Sequence, residues 1–160
     1  MKIFDAQYLD NLTGKAKVNL RLRQHLNVHQ SYQDASQRLF NAIQPGSYIR
    51  PHRHASDPRD DLLIAIRGVM AMVTFDDQGA VTKVLRFGTD RHGHEMAVGV
   101  EVSPSTWHTA IALGPCCVLL EVKAGPFNPD KTKNLVPWAP EEGCDDATAY
   151  LGRLHERVCE

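Results

Sequence analysis

No stretch of this sequence approaches the ~20 consecutive apolar residues that a membrane-spanning helix needs, which argues against a membrane protein. The opening residues MKIFDAQYLDNLTGK have neither a long apolar run nor a cleavage-site pattern, so no signal peptide is read there. Charge of one sign is not in excess. The 18 Lys and Arg against 19 Asp and Glu give a formal net charge of −1, with no global electrostatic reason to bind nucleic acid or an anionic membrane. The small basic cluster Lys15, Lys17, Arg21 and Arg23 reads mainly as a solvated face. Cysteine is sparse and unpatterned: Cys116 and Cys117 are adjacent, Cys144 and Cys159 stand apart, and no CxxC spacing occurs. Adjacent cysteines suit a mutual disulfide poorly, so the expectation is reduced thiols in a cytoplasmic protein. Repeats and low-complexity tracts are also lacking. What remains is a chain of 160 residues, the size of one domain with a single core.

Periodicity supplies the elements. Leu9, Leu12 and Ala16 recur at helical spacing after a possible cap at Asp5, which predicts a short helix over 5–17. The next stretch, NLRLRQHLNVH at 19–29, alternates. Leu20, Leu22, Leu26 and Val28 share one face, and Arg21, Arg23, His25, Asn27 and His29 share the other, so a strand is expected whose polar face meets solvent or lines a pocket. Further strands are expected near 37–44, 47–54, 62–67, 69–76, 80–88, 98–103, 107–113 and 116–123. They are punctuated by Pro45-Gly46, Gly68, Gly79, Gly88, Pro104 and Gly114-Pro115. Many short strands without intervening helices indicate an antiparallel sandwich or barrel. Residues 125–143 are rich in proline and polar side chains and read as an extended arm. Tyr150, Leu151, Leu154 and Val158 form the stripe of a terminal helix over 146–158.

The chemistry-bearing residues cluster in PGSYIRPHRH, 45–54. In an extended segment His52 and His54 point the same way, with Arg50 beside them. His108 opens another strand after the turn at Pro104, and Asp57, Asp60 and Asp61 offer carboxylates. Three neutral imidazoles and one carboxylate suit one divalent transition metal, Fe, Zn, Mn, Ni or Co, and leave positions open for water or substrate. Arg50 could grip an anion. Asn27 and His29 lie on the polar face of their strand. Glu121, inside the apolar run VLLEVKAG, needs a partner and could be a pocket residue. DRHGHE at 90–95 holds a second His-x-His pair, His92 and His94, with Glu95. It reads as a polar loop, a second metal site or a lid being the other readings.

The spacing Gly46-x5-His52-x-His54, an acidic residue, then six residues to Gly68, resembles the first cupin motif, and GVEVSPSTWHT at 99–109 resembles the second. More narrowly, the stretches RLRQHLNVH, QRLFNAIQPGSYIRPHRH, GVEVSPSTWHT, LLEVKAGPF and VPWAPEEG resemble the WbuC-type cupin-fold metalloproteins, over roughly 20–143. That resemblance implies an all-β double-stranded β-helix, the cupin jelly roll, with the barrel over 20–123, a short N-terminal helix, and a C-terminal arm and helix over 125–158. It implies a metal held by His52, His54 and His108. Asp61 keeps the spacing to Gly68 and is preferred over Asp60 as the fourth ligand, or as the holder of a metal-bound water. The usual glutamate stands closer to the second histidine, and aspartate is one methylene shorter. Arg50, Asn27, His29 and Glu121 become candidates to bind a small polar, anionic or sugar-derived ligand. The family's association with surface-polysaccharide (O-antigen) gene clusters implies a carbohydrate context, and the fold implies a homodimer. Isomerase, epimerase or lyase chemistry, an Fe(II)-dependent oxygenase and a non-catalytic binding module are the functions left open.

Overall fold

Alternation of small or apolar side chains with a second set of the same kind makes most strands here two-faced and covered on both sides, and the architecture follows from that. The computed structural model describes residues 1–57, 59–89, 96–131 and 133–159. His92, His94 and Glu95 lie outside the described residues. The helix α1 spans Ala6–Val18; the strands are β1 Arg23–Asn27, β2 Ser36–Ile43, β3 His52–Arg53, β4 Asp61–Arg67, β5 Val69–Phe75, β6 Val81–Gly88, β7 Gly99–Val102, β8 Trp107–Ala112, β9 Cys117–Ala124 and β10 Asn134–Leu135; the helix α2 spans Asp145–Cys159. Among the described residues they form two five-stranded sheets, β1-β2-β9-β4-β7 and β10-β3-β8-β5-β6, whose strands pair antiparallel.

Each sheet carries a helix on its outer face. Asp5 caps α1, its carboxylate accepting from the Tyr8 N–H at 2.9 Å. Leu9, Leu12 and Ala16 then bury against Phe40, Ala42 and Val118. In α2, Ala147, Leu151, Leu154 and Val158 cover Ala71, Val73, Phe75 and Ile111. The space between the sheets divides lengthwise. One end is dry: Ile43, Leu63, Met70, Met72, Phe87, Ala110, Ala112, Cys117 and Leu119 fill it. Two residues further along the same faces, the character changes. Ala110 gives way to His108, Leu63 to Asp61, Leu119 to Glu121 and Lys123, and Ile43 to Asn41. Because inward positions recur every second residue, the polar end is a continuation of the core rather than a separate surface.

The expected strand over 47–54 shortens to His52–Arg53. Pro51 lacks an N–H for a ladder, the Ser47 hydroxyl donates to Arg21 O at 2.8 Å, and Tyr48 O accepts from Arg23. The strand expected over 19–29 shortens to Arg23–Asn27, because residues 19–22 form a turn in which Leu22 has φ 54° and Leu20 is fully exposed. The arm contributes one element without a periodic signal, the two-residue β10, which pairs with β3. Trp138 fixes the arm by packing on Phe75 and on Gly79, where an added Cβ would stand 2.7 Å from the indole. All four cysteines are free thiols.

Candidate metal centre

The two histidines of the first motif reach the barrel interior because β3 is extended, and β8 brings the third: His52 pairs directly with His108 across the ladder. The ring centroids of His52 and His108 lie 4.6 Å apart, those of His52 and His54 5.1 Å, and those of His54 and His108 5.8 Å. One nitrogen from each ring lies within 4.8 Å of the other two. Small ring rotations bring such a set to the spacing that metal–nitrogen bonds of about 2.1 Å require.

The hydrogen bonds of the rings decide which nitrogen is free. His52 Nδ1 donates to Arg50 O at 2.9 Å and His108 Nδ1 donates to Thr106 O at 2.8 Å. A proton committed to Nδ1 leaves the Nε2 lone pair for a metal, the usual arrangement of a ligating histidine whose second nitrogen is held by the backbone. Burial, reinforced by the charge of Lys133, holds His52 well below the ordinary imidazole range; burial likewise lowers His108 to about 4. Both rings are therefore neutral at pH 7, the form a metal needs.

Asp61 is buried beside them. Its Oδ2 lies 3.1 Å from His54 Nε2 and its Oδ1 3.1 Å from Lys123 Nζ, which also stands 3.5 Å from Asp57 Oδ2. Asp60, by contrast, is exposed. Glu121 faces the interior from β9, in register with Leu63 and Leu39. Burial first, and then the neighbouring Asp61 charge, raise its carboxyl to about 7, against the opposing pull of Lys133 and Lys123.

The remaining sequence candidates are placed elsewhere. Arg50 turns onto the arm: Nη2 donates to Val136 O at 2.6 Å and Nη1 lies 3.5 Å from Glu141. Asn27 is exposed at the end of β1. His29 anchors the turn after β1, its Nδ1 accepting from the Arg38 N–H at 3.0 Å. Arg53 faces outward, its guanidinium 4.1 Å above the Trp107 ring. Arg23, read with the solvated basic cluster, is buried and ion-paired to Glu142.

Two buried residues, Asn41 and Lys123, and the exposed Lys133 were not singled out from the sequence. Asn41 is the register partner of His25 on β1, Lys123 is the register partner of Asp61, and Lys133 precedes β10. Parity could have found Lys123, which shares a face with Glu121. Lys133 sits in an arm with no period to read. Burial, then the cations Lys133, Arg23 and Arg21, lower His25 to about 4. A separate cavity of about 540 Å³ opens beside the start of α2, between Arg21, Arg23, Tyr48 and Glu142; its lining includes none of the three histidines.

Comparison with known proteins fits this architecture. The model of a family described as a domain of unknown function (DUF6016) matches residues 4–87. No curated protein matches the sequence. Among solved structures, KdgF from Halomonas sp. is 16% identical with a TM-score of 0.51, covering 71% of this chain and 87% of its own. A cupin 2 domain-containing protein from Halorhodospira halophila is 14% identical with a TM-score of 0.51, covering 85% and 82%. Oxalate decarboxylase from Bacillus subtilis is 15% identical with a TM-score of 0.51, covering 71% of this chain but 27% of the enzyme. At such identities the likeness establishes the fold, a cupin jelly roll. No helix among the described residues is long and apolar enough to cross a membrane.

Proposed function

This chain belongs to the DUF6016 family, and we propose that it is a mononuclear metal-dependent cupin acting on a small polar, sugar-derived substrate. The observation that carries this reading is the convergence of His52, His54 and His108 at the polar end of the barrel, with their ligand nitrogens within 4.8 Å of one another. Asp61, 3.1 Å from His54 Nε2, is the carboxylate of the set. The donors, neutral imidazoles and one carboxylate, fit a divalent transition metal better than Mg²⁺ or Ca²⁺. Such an ion supplies Lewis acidity toward a carbonyl or hydroxyl oxygen.

The chain's own residues supply the rest. Arg50 O and Thr106 O orient the rings of His52 and His108. Lys123 Nζ, 3.1 Å from Asp61 Oδ1, fixes the position of that side chain. Glu121, on the inner face of β9 beside Leu63 and raised to about 7, is the group suited to take a proton from a substrate carbon or oxygen and return it, as isomerase, epimerase or lyase chemistry requires. The carbohydrate context rests on the resemblance to WbuC-type cupins.

Metal content by mass spectrometry tests the reading on purified wild type, His52→Ala and His108→Ala. The expected result is near-stoichiometric metal in the wild type and loss in both variants. Wild-type protein that stays metal-free after reconstitution with Fe(II), Zn, Mn, Ni and Co would sink the reading. Iron as the resident metal would direct assays to oxygen uptake first.

A further inference from the structure

The polar end of the barrel contains more charge and hydrogen-bonding capacity than its own partners satisfy. Asp61 is shared by Lys123 and His54, and Arg23 is committed to Glu142 and to Tyr48 O. Lys133 is different. The register Leu135–His52 and Asn134–Arg53, continued by one residue, sets Lys133 opposite His54 and on the same side as both first-motif histidines. No carboxylate among the described residues lies within ion-pair distance of its ammonium, although its charge acts on His25, His52, His108 and Glu121 alike. That register, and not a contact of its own, puts the exposed ammonium on the ligand side of the β10 edge. Asn41 Oδ1, buried on the inner face, has no hydrogen-bond partner among the described residues, and its register neighbour His25 faces the same way. Polar groups without partners at one end of the barrel are what a polar ligand completes.

We infer that the barrel mouth holds a carboxylate subsite, in which the Lys133 ammonium pairs with the carboxylate of a small hydroxy acid while His25 and Asn41 line the wall beyond it. The inference rests on the metal-dependent reading above and narrows its substrate from polar to anionic. Two features favour a carboxylate over a neutral polyol. The cation has no carboxylate partner among the described residues. Three cations, Lys133, Arg23 and Arg21, act on His25 against the single opposing carboxylate of Glu142. The arrangement puts the carboxylate at the rim and leaves the hydroxyl-bearing carbons between Glu121 and the three histidines.

Gluconate and sorbitol test this, because they share a six-carbon polyhydroxy chain and differ in the carboxylate. Binding of each is measured calorimetrically on chelator-treated and metal-reconstituted protein, in wild type, Lys133→Met and Lys133→Arg, with metal content determined in parallel. Gluconate is expected to bind wild type at least about tenfold more tightly than sorbitol in both preparations, the scale of one partly desolvated ion pair. Lys133→Met should abolish the preference, and Lys133→Arg should restore most of it. Both variants should keep the wild-type metal content, as Lys133 is solvent-accessible and outside the ligand set. Equal binding of the two probes to wild type, or binding of neither, overturns the subsite, as does an undiminished preference in Lys133→Met. A gluconate preference in protein that takes up no metal would keep the subsite and sink the metal-dependent reading; metal uptake without the preference would do the reverse.

Discussion

Glu121 shows how one residue sets the balance between stability and chemistry. Its carboxyl stands near 7 in the folded protein against an ordinary value of 4.5. The folded state therefore binds this proton more tightly than the unfolded chain does. The resulting stability is complete below about pH 4.5 and is lost as pH rises through 7. Above 7 the ionised, buried carboxylate leaves the protein less stable by about 3 kcal/mol, taking 1.36 kcal/mol per pH interval. Glu121→Gln removes the titration. In chelator-treated protein the variant should be more stable than wild type at pH 8.5 by up to that amount, with the difference shrinking toward zero near pH 4. Denaturant melts at the two pH values check it; equal stabilities at pH 8.5 would show that Glu121 is already ionised without cost. At this scale His52, His54 and His108 were legible because parity and turn spacing both point inward. His29 and Asn27 shared the polar parity of β1, but the strand ends at Asn27, so parity stops reporting direction there. Lys133 was not legible, because its place is set by a two-residue pairing with β3 rather than by any pattern in its own segment.

Elements were legible wherever a strand is covered on one face by the other sheet and on the other by a helix. The run VMAMVTF of β5 and the stripe of α2 are the two halves of one contact, and both stand out as apolar periodicity. Segments shaped by hydrogen bonds to distant backbone were not legible, as the loss of most of the 47–54 strand shows. One tight turn that combines positive φ with a close approach lies between β4 and β5. Gly68 has φ 77°, and a Cβ there would stand 2.7 Å from the buried Cys117 Sγ. Left-handed backbone costs an L-residue roughly 1–2 kcal/mol, and the contact adds to it. Gly68→Ala should lower the urea midpoint by the equivalent of about 2–3 kcal/mol with little change in slope. It should leave metal content at the wild-type level, since the turn lies at the apolar end of the barrel. A midpoint equal to wild type would mean that Cys117 and the turn relax together.

For the whole molecule, the lengthwise division of the barrel matters most. The apolar end supplies the core, while the polar end holds His52, His108, Asp61 and Lys123 at 7% exposure or less, with Asp61 paired to Lys123 and His54. An ion that binds the folded chain and not the unfolded one adds RT ln(1 + [M]/Kd), about 4 kcal/mol at a thousandfold excess over Kd. For a chain of this length that corresponds to a rise in Tm on the order of 10 °C. Chelator-treated protein titrated with Zn, Mn, Ni, Co or Fe(II) should show such a rise with at least one of them. Mg²⁺ and Ca²⁺ should give little, because they prefer oxygen donors over imidazole. His108→Ala should flatten the response whatever its starting Tm, because the shift and not the baseline reports occupancy. Calorimetric scans with and without metal decide it. A shift that survives His108→Ala would place the stabilising ion elsewhere, and no shift with any of the five would leave the polar end of the barrel to an organic ligand alone.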